Sequence, residues 1–190
     1  MKQIMLRVVA FVLLVTGAFL LSDGCWMRAK GVMAQLLLQH AWEETMETGK
    51  NTKPWPWADT WPVARLTVER LGIDLIVLEG ESGEVLAFGP GHLPASSIPG
   101  ADGHCIVAGH RDTSFRFLRY LNTEDILNVQ IADGSIYVYR ISEMFTAKAE
   151  KLYLLETDRP RLTLITCYPF EALLPGTDMR YVVFADRMSG

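Results

Sequence analysis

From residue 64 onward the chain is a succession of short, apolar and largely β-branched runs, at residues 64–69, 73–78, 85–88, 105–108, 126–131, 135–142, 162–167 and 181–185. Turn signals separate them, among them Gly80, Gly83, Gly89-Pro90-Gly91, Pro99-Gly100, Asp133-Gly134 and Pro175-Gly176. Strands this short, with no long amphipathic helix between them, do not build a parallel α/β sheet. They predict an all-β barrel or sandwich. One short helix is expected near residues 114–121, where Phe115, Leu118 and Leu121 recur at helical spacing behind an Asp112 or Thr113 cap. A hydrophobic share of 49% over 190 residues supplies a sizeable core without covalent staples. The three cysteines, Cys25, Cys105 and Cys167, are an odd number and widely spaced, which leaves at least one free thiol.

The segment ahead of these strands has a different character. Residues 4–21 are apolar apart from Arg7 and Thr16, long enough for a signal-peptide core and close to the roughly 20 residues a bilayer span needs. Asp23 fits neither a signal-peptidase nor a lipobox site, so residues 1–23 are expected to stay attached as an anchor. Lys2 and Arg7 are balanced by Arg28 and Lys30, so charge sets no orientation. The position of the segment makes an N-in signal anchor the default, with the remainder exported. Residues 24–53 are expected to form an amphipathic helix and linker, with Ala29, Met33, Leu36, Leu37 and His40 on one face. The prolines of the Pro54 to Pro62 stretch predict an extended, polyproline-like connection and a domain boundary, leaving residues 54–190 as the exported domain. All five tryptophans precede that domain's strands, as a clamp on it or as interfacial anchors. Residues 51–190 hold 13 Lys and Arg against 18 Asp and Glu, a formal charge of −5, which disfavours a nucleic-acid partner.

Chemistry concentrates at strand ends. Thr163-Leu164-Ile165-Thr166-Cys167 ends an apolar strand on a thiol, where a sulfur can meet a substrate; a cysteine in the middle of a strand is more often a small buried hydrophobe. His110 closes another apolar run, 105–109, and is able to exchange a proton with the thiol and with a departing amine. Arg180 opens the last strand thirteen positions after Cys167, and a guanidinium there can donate to an oxygen that becomes negative during attack. Together these residues predict a Cys-His-Arg acyl-transfer site. Arg111, next to His110, and Thr166 and Tyr168, on either side of Cys167, are candidate substrate-binding residues. No cofactor is expected. A zinc site built from His104, Cys105, His110 and Cys167 is disfavoured because neighbouring strand residues point to opposite faces.

The motifs resemble those of the sortases, a family of membrane-anchored cysteine transpeptidases. Residues 163–167 fit the family's T-L-x-T-C strand, Gly109-His110-Arg111 its histidine segment and Arg180 the arginine of its last strand. Gly89-Pro90-Gly91-His92, Pro99-Gly100 and Ala108-Gly109-His110-Arg111-Asp112-Thr113 resemble the class D-like branch in particular. The Trp-Pro-Trp-Ala-Asp-Thr-Trp-Pro stretch behind one anchor resembles the proteobacterial, Gram-negative class. Gly103-His104-Cys105 departs from the glycine-asparagine of related branches.

The resemblance implies a closed β-barrel of about eight strands with one or two short helices. It also implies Cys167 as nucleophile, His110 as general acid and base, and Arg180 as transition-state donor. The implied substrate is an exported protein with a Leu-Pro-x-Thr-Gly-like sorting signal, cleaved between threonine and glycine. An amine acceptor such as peptidoglycan would take the acyl group. The implied location is the bacterial inner membrane, crossed once, with the catalytic domain on the periplasmic side. The acidic Glu150, Glu156 and Asp158 lie where the family keeps a groove loop. The alternative is a membrane-tethered, non-enzymatic β-barrel that binds a partner, with an inert Cys167.

Overall fold

The computed structural model describes residues 2–152, 159–172 and 176–188. A single helix, α1 (Lys2–Thr48), precedes eight strands: β1 (Pro62–Val68), β2 (Ile73–Glu79), β3 (Gly91–His92), β4 (His104–Ala108), β5 (Ile126–Ile131), β6 (Ile136–Lys148), β7 (Arg161–Tyr168) and β8 (Met179–Arg187). They close into a barrel in the order β1-β2-β3-β4-β7-β8-β6-β5. Closure gives every strand two neighbours. β4 and β7 run parallel, and β7 and β8 antiparallel, so three separate stretches of sequence meet along one wall.

Alternation along the strands sets inside and outside. In β1, Ala64, Leu66 and Val68 are buried while Val63, Arg65 and Thr67 are half-buried. The same period sends Cys105 and Val107 of β4, Leu162 and Leu164 of β7, and Val183 and Ala185 of β8 into one core with Phe115, Leu118 and Leu127.

Two local predictions are corrected. Residues 85–88 do not form a strand: they end the short helix α2 (Gly83–Phe88), whose first turn is capped by the Ser82 hydroxyl accepting from Val85 N at 3.2 Å. Four apolar residues fit either structure, and the Ser82 cap decides between them. The third strand is instead the glycine-bearing pair Gly91–His92, which apolar patterning does not reveal. Near residues 114–121 the expected helix is a 3₁₀ turn, Arg116–Tyr120, led in by Phe115 N donating to His110 O rather than by a side-chain cap.

The chain divides into two compact units, Met1–Leu36 and Leu37–Gly190. Residues 1–23 are expected as an anchor and 24–53 as an amphipathic helix and linker, and the single helix α1 runs from Lys2 to Thr48 across that boundary. Within the described residues it is the one helix long and apolar enough to cross a membrane. Within the second unit the helical stripe differs from the expected one: Leu37 and His40 are exposed, whereas Leu38, Ala41, Trp42 and Thr45 are buried. Leu36, Leu37 and Leu38 cover more than half of the helix circumference, so periodicity alone does not choose among stripes. Leu38 settles against Leu78 and Val85.

The proline-rich stretch is likewise no free extended connection. Ala58 and Thr60 are buried, Ala58 N donates to Trp55 O, and the Thr60 hydroxyl donates to Glu79 O at 2.6 Å. Trp55 meets Phe88 edge-on with centroids 4.8 Å apart. Trp42 and Trp55 are therefore packed within the second unit, while Trp57 is exposed.

Candidate active site

Strand alternation places the predicted nucleophile on the outer wall. Leu162, Leu164 and Thr166 point inward, so Thr163, Ile165 and Cys167 share the opposite face of β7. Cys167 is half-buried. Its direct cross-strand partner on β8 is Arg180. Side chains so paired have Cβ atoms about 4.5–5.5 Å apart. On the other flank, Ala108 of β4 pairs with Ile165 in parallel register, and Gly109 N donates to Ile165 O at 3.1 Å. Continuing that register brings His110 level with Cys167. The three predicted catalytic residues thus lie on adjacent strand ends at one rim, with the half-buried Ala108 and Ile165 and the fully buried Val182 aligned below them.

The Arg180 guanidinium donates from Nη1 to Thr177 O at 2.6 Å and to Met179 O at 3.0 Å. Among the described residues it pairs with no carboxylate. His110 is exposed; its carbonyl accepts from Thr113 N and Phe115 N, which turns the chain sharply behind the ring. Gly109 is required by that turn, because a Cβ there would lie 2.7 Å from the Phe115 ring.

Two of the three candidate substrate-binding residues face the protein instead. Thr166 is 2% exposed and its hydroxyl donates to Gly109 O at 2.7 Å. Arg111 is 6% exposed: Nη1 donates to Pro169 O at 2.8 Å, Nη2 to Ala172 O at 2.9 Å, and Nε to Asp112 at 3.1 Å. The hydrogen bond from Arg111 holds the Asp112 carboxyl below the usual carboxylate range, with the charges of Arg111, His110 and Arg116 acting in the same direction. Tyr168 is half-buried on the Thr166 face of β7, stacked on Tyr181 and edge-on to Phe170. Phe170 and Tyr181 escape sequence reasoning because neither is near a motif residue of its own type. Their signal is Tyr168-Pro169-Phe170 directly after the thiol, and Tyr181 opposite Thr166. Arg119 lies over Phe170 and pairs with Glu171.

Thr166 ties the nucleophile strand to the histidine segment, so Thr166→Val is expected to leave Gly109 O unsatisfied. The cost should be about 1–3 kcal/mol of stability, read as a lowered urea midpoint at unchanged slope.

The other thiols differ in kind. Cys105 is buried in the core, and burial, reinforced by the charge of Glu79, pushes its thiol up to about 12. Iodoacetamide at pH 8 should therefore spare Cys105 in the folded chain while modifying Cys167 and the exposed Cys25, as peptide mass mapping would show. His104, beside Cys105, faces the other way, toward Thr163 and the edge of Phe184. Among the described residues no His, Cys, Asp and Glu side chains group as a metal site would require. Glu150 is exposed and 3.8 Å from Lys148; Glu156, Asp158 and Pro175 lie outside the described residues.

A closed eight-stranded barrel with a strand-end thiol facing a cross-strand arginine defines a class of β-barrel proteins that carry a cysteine site on the outer wall. A Sortase domain model matches residues 66–188, and the chain belongs to the sortase family. It is 28% identical over 126 residues to Sortase D of Bacillus subtilis (strain 168), an alignment that spans 65% of this chain and 63% of that protein. The class D-like resemblance agrees with this relative. Among solved structures, sortase C1 from Streptococcus agalactiae superposes with a TM-score of 0.60 at 29% identity, over 68% of each chain. A Clostridium perfringens Sortase D5 transpeptidase matches with a TM-score of 0.60 at 25% identity, over 80% of this chain and 89% of its own.

Proposed function

We propose that this chain is a cysteine transpeptidase acting on exported proteins. The observation that carries the reading is the cross-strand pairing of Cys167 with Arg180 beside the His110 segment, on the solvent side of a rigid wall. The Cys167 thiolate attacks the carbonyl carbon of the scissile peptide, and the carbonyl oxygen gains the negative charge. Arg180 donates to that oxygen. As the C–N bond breaks, the His110 imidazolium gives its proton to the departing amine, leaving an acyl thioester on Cys167. An incoming amine loses a proton to His110 and attacks the thioester; the C–S bond breaks and a new amide forms. Water in place of the amine gives hydrolysis.

The half-buried Ala108 and Ile165 below the rim suit an extended peptide with apolar residues ahead of the scissile bond, as a Leu-Pro-x-Thr-Gly-like sorting signal has. The acceptor is an amine at the cell envelope, such as peptidoglycan. The apolar part of α1 serves as a single-pass anchor in the inner membrane, with the barrel on the periplasmic side. Incubating the chain with a Leu-Pro-x-Thr-Gly peptide and mapping adducts by mass spectrometry tests the reading. An acyl adduct on Cys167 is expected, and its absence favours a barrel that only binds.

A further inference from the structure

The reaction described above uses His110, Cys167 and Arg180 and assigns nothing to Arg111, whose side chain is nevertheless the most heavily engaged at this rim. A buried guanidinium is costly unless its donors are satisfied, and here they are. Two go to backbone carbonyls of the segment just after the nucleophile, Pro169 O and Ala172 O, and others go to Asp112. Arg111 follows His110 directly, and Pro169 comes two residues after Cys167. One side chain therefore fastens the turn that carries the imidazole to the loop that leaves the thiol.

A second fastening lies below it. Gly109 N donates to Ile165 O, and the Thr166 hydroxyl donates to Gly109 O. His110 and Cys167 sit between these two sets of bonds, so their separation is fixed from both sides. The hydrogen bond to Asp112 holds the Arg111 guanidinium above its ordinary value against the cost of burial, with charge at Asp112, Cys167 and Glu171 acting in the same direction.

We propose that Arg111 is a positioning residue: it sets the approach of His110 to Cys167 by latching the 169–172 loop to the histidine turn. This rests on the transpeptidase reading. The planar fork of arginine reaches two carbonyls and a carboxylate at once, and a lysine ammonium at the same place cannot hold both carbonyls. Asp112 orients the fork from the solvent side. Because the latch fixes geometry between reacting groups rather than touching the peptide, its loss should appear in the rate of acylation more than in peptide affinity.

The test compares the full chain with Arg111→Ala and Arg111→Lys, using the Leu-Pro-x-Thr-Gly peptide and kcat and KM measured separately. Arg111→Ala is expected to lower kcat about 10- to 100-fold while KM moves less than about threefold. Millimolar ethylguanidinium should restore part of the lost kcat, and ethylammonium should not. Arg111→Lys, which keeps the charge, should recover only a minor share. Unchanged kcat, a loss confined to KM, or equal rescue by either cation overturns the proposal. Should the alanine variant fail to fold, Arg111→Lys decides on the same kcat criterion, and failure of both to fold assigns Arg111 to the scaffold and overturns it as well. An unmodified chain that forms no adduct refutes the transpeptidase reading itself; an active chain indifferent to Arg111 refutes only the latch.

Discussion

Cys167→Ala is expected to remove acylation altogether, with turnover falling by about 10⁴- to 10⁶-fold, to below detection. Cys105 cannot substitute, because it is sealed in the core with its thiol pushed up to about 12. Stability should barely change, because Cys167 is half-buried on the outer face and the replacement leaves no interior void. The outcome is read from peptide turnover and from intact mass after incubation with the Leu-Pro-x-Thr-Gly peptide. A variant that still gains the acyl mass would remove Cys167 from the mechanism.

Arg180→Ala should cost about 10²- to 10³-fold in kcat, the loss typical of one donor to a developing oxyanion. In the resting structure the guanidinium is occupied by the carbonyls of Thr177 and Met179. Those are modest hydrogen bonds at the surface, so the alanine variant should fold with a denaturation midpoint close to the parent's. The two functions separate kinetically: a transition-state donor lowers kcat and kcat/KM together, whereas a residue that only holds the bound peptide raises KM with kcat unchanged. Arg180→Lys should recover part of the rate, since a single ammonium supplies charge without the fork.

The positions of Cys167, His110 and Arg180 were legible because each terminates or opens an apolar run, and a strand end has few places to go in a closed barrel. Their convergence depends on which strands become neighbours. The parallel pairing of β4 with β7 sets His104 beside Arg161 and Ala108 beside Ile165, partners far apart in the chain that no local pattern encodes. Arg111 and Thr166 show the limit from the other side. Both stand next to catalytic candidates in sequence, yet strand alternation turns Thr166 inward and the turn after His110 turns Arg111 toward the loop. Adjacency in the chain gave them the wrong neighbour in space. The helical stripe failed for a related reason: three consecutive leucines offer several faces, and only the surface of Leu78 and Val85 selects Leu38.

The thiol and its partners stand on the exterior of a wall whose interior is already filled by Leu162, Leu164, Val183 and their neighbours. Selectivity and robustness are consequently written on opposite sides of the same three strands. Laboratory evolution could exchange rim or loop residues to accept a different peptide while the hidden side keeps its shape, and heat tolerance could be raised from within without retuning the chemistry.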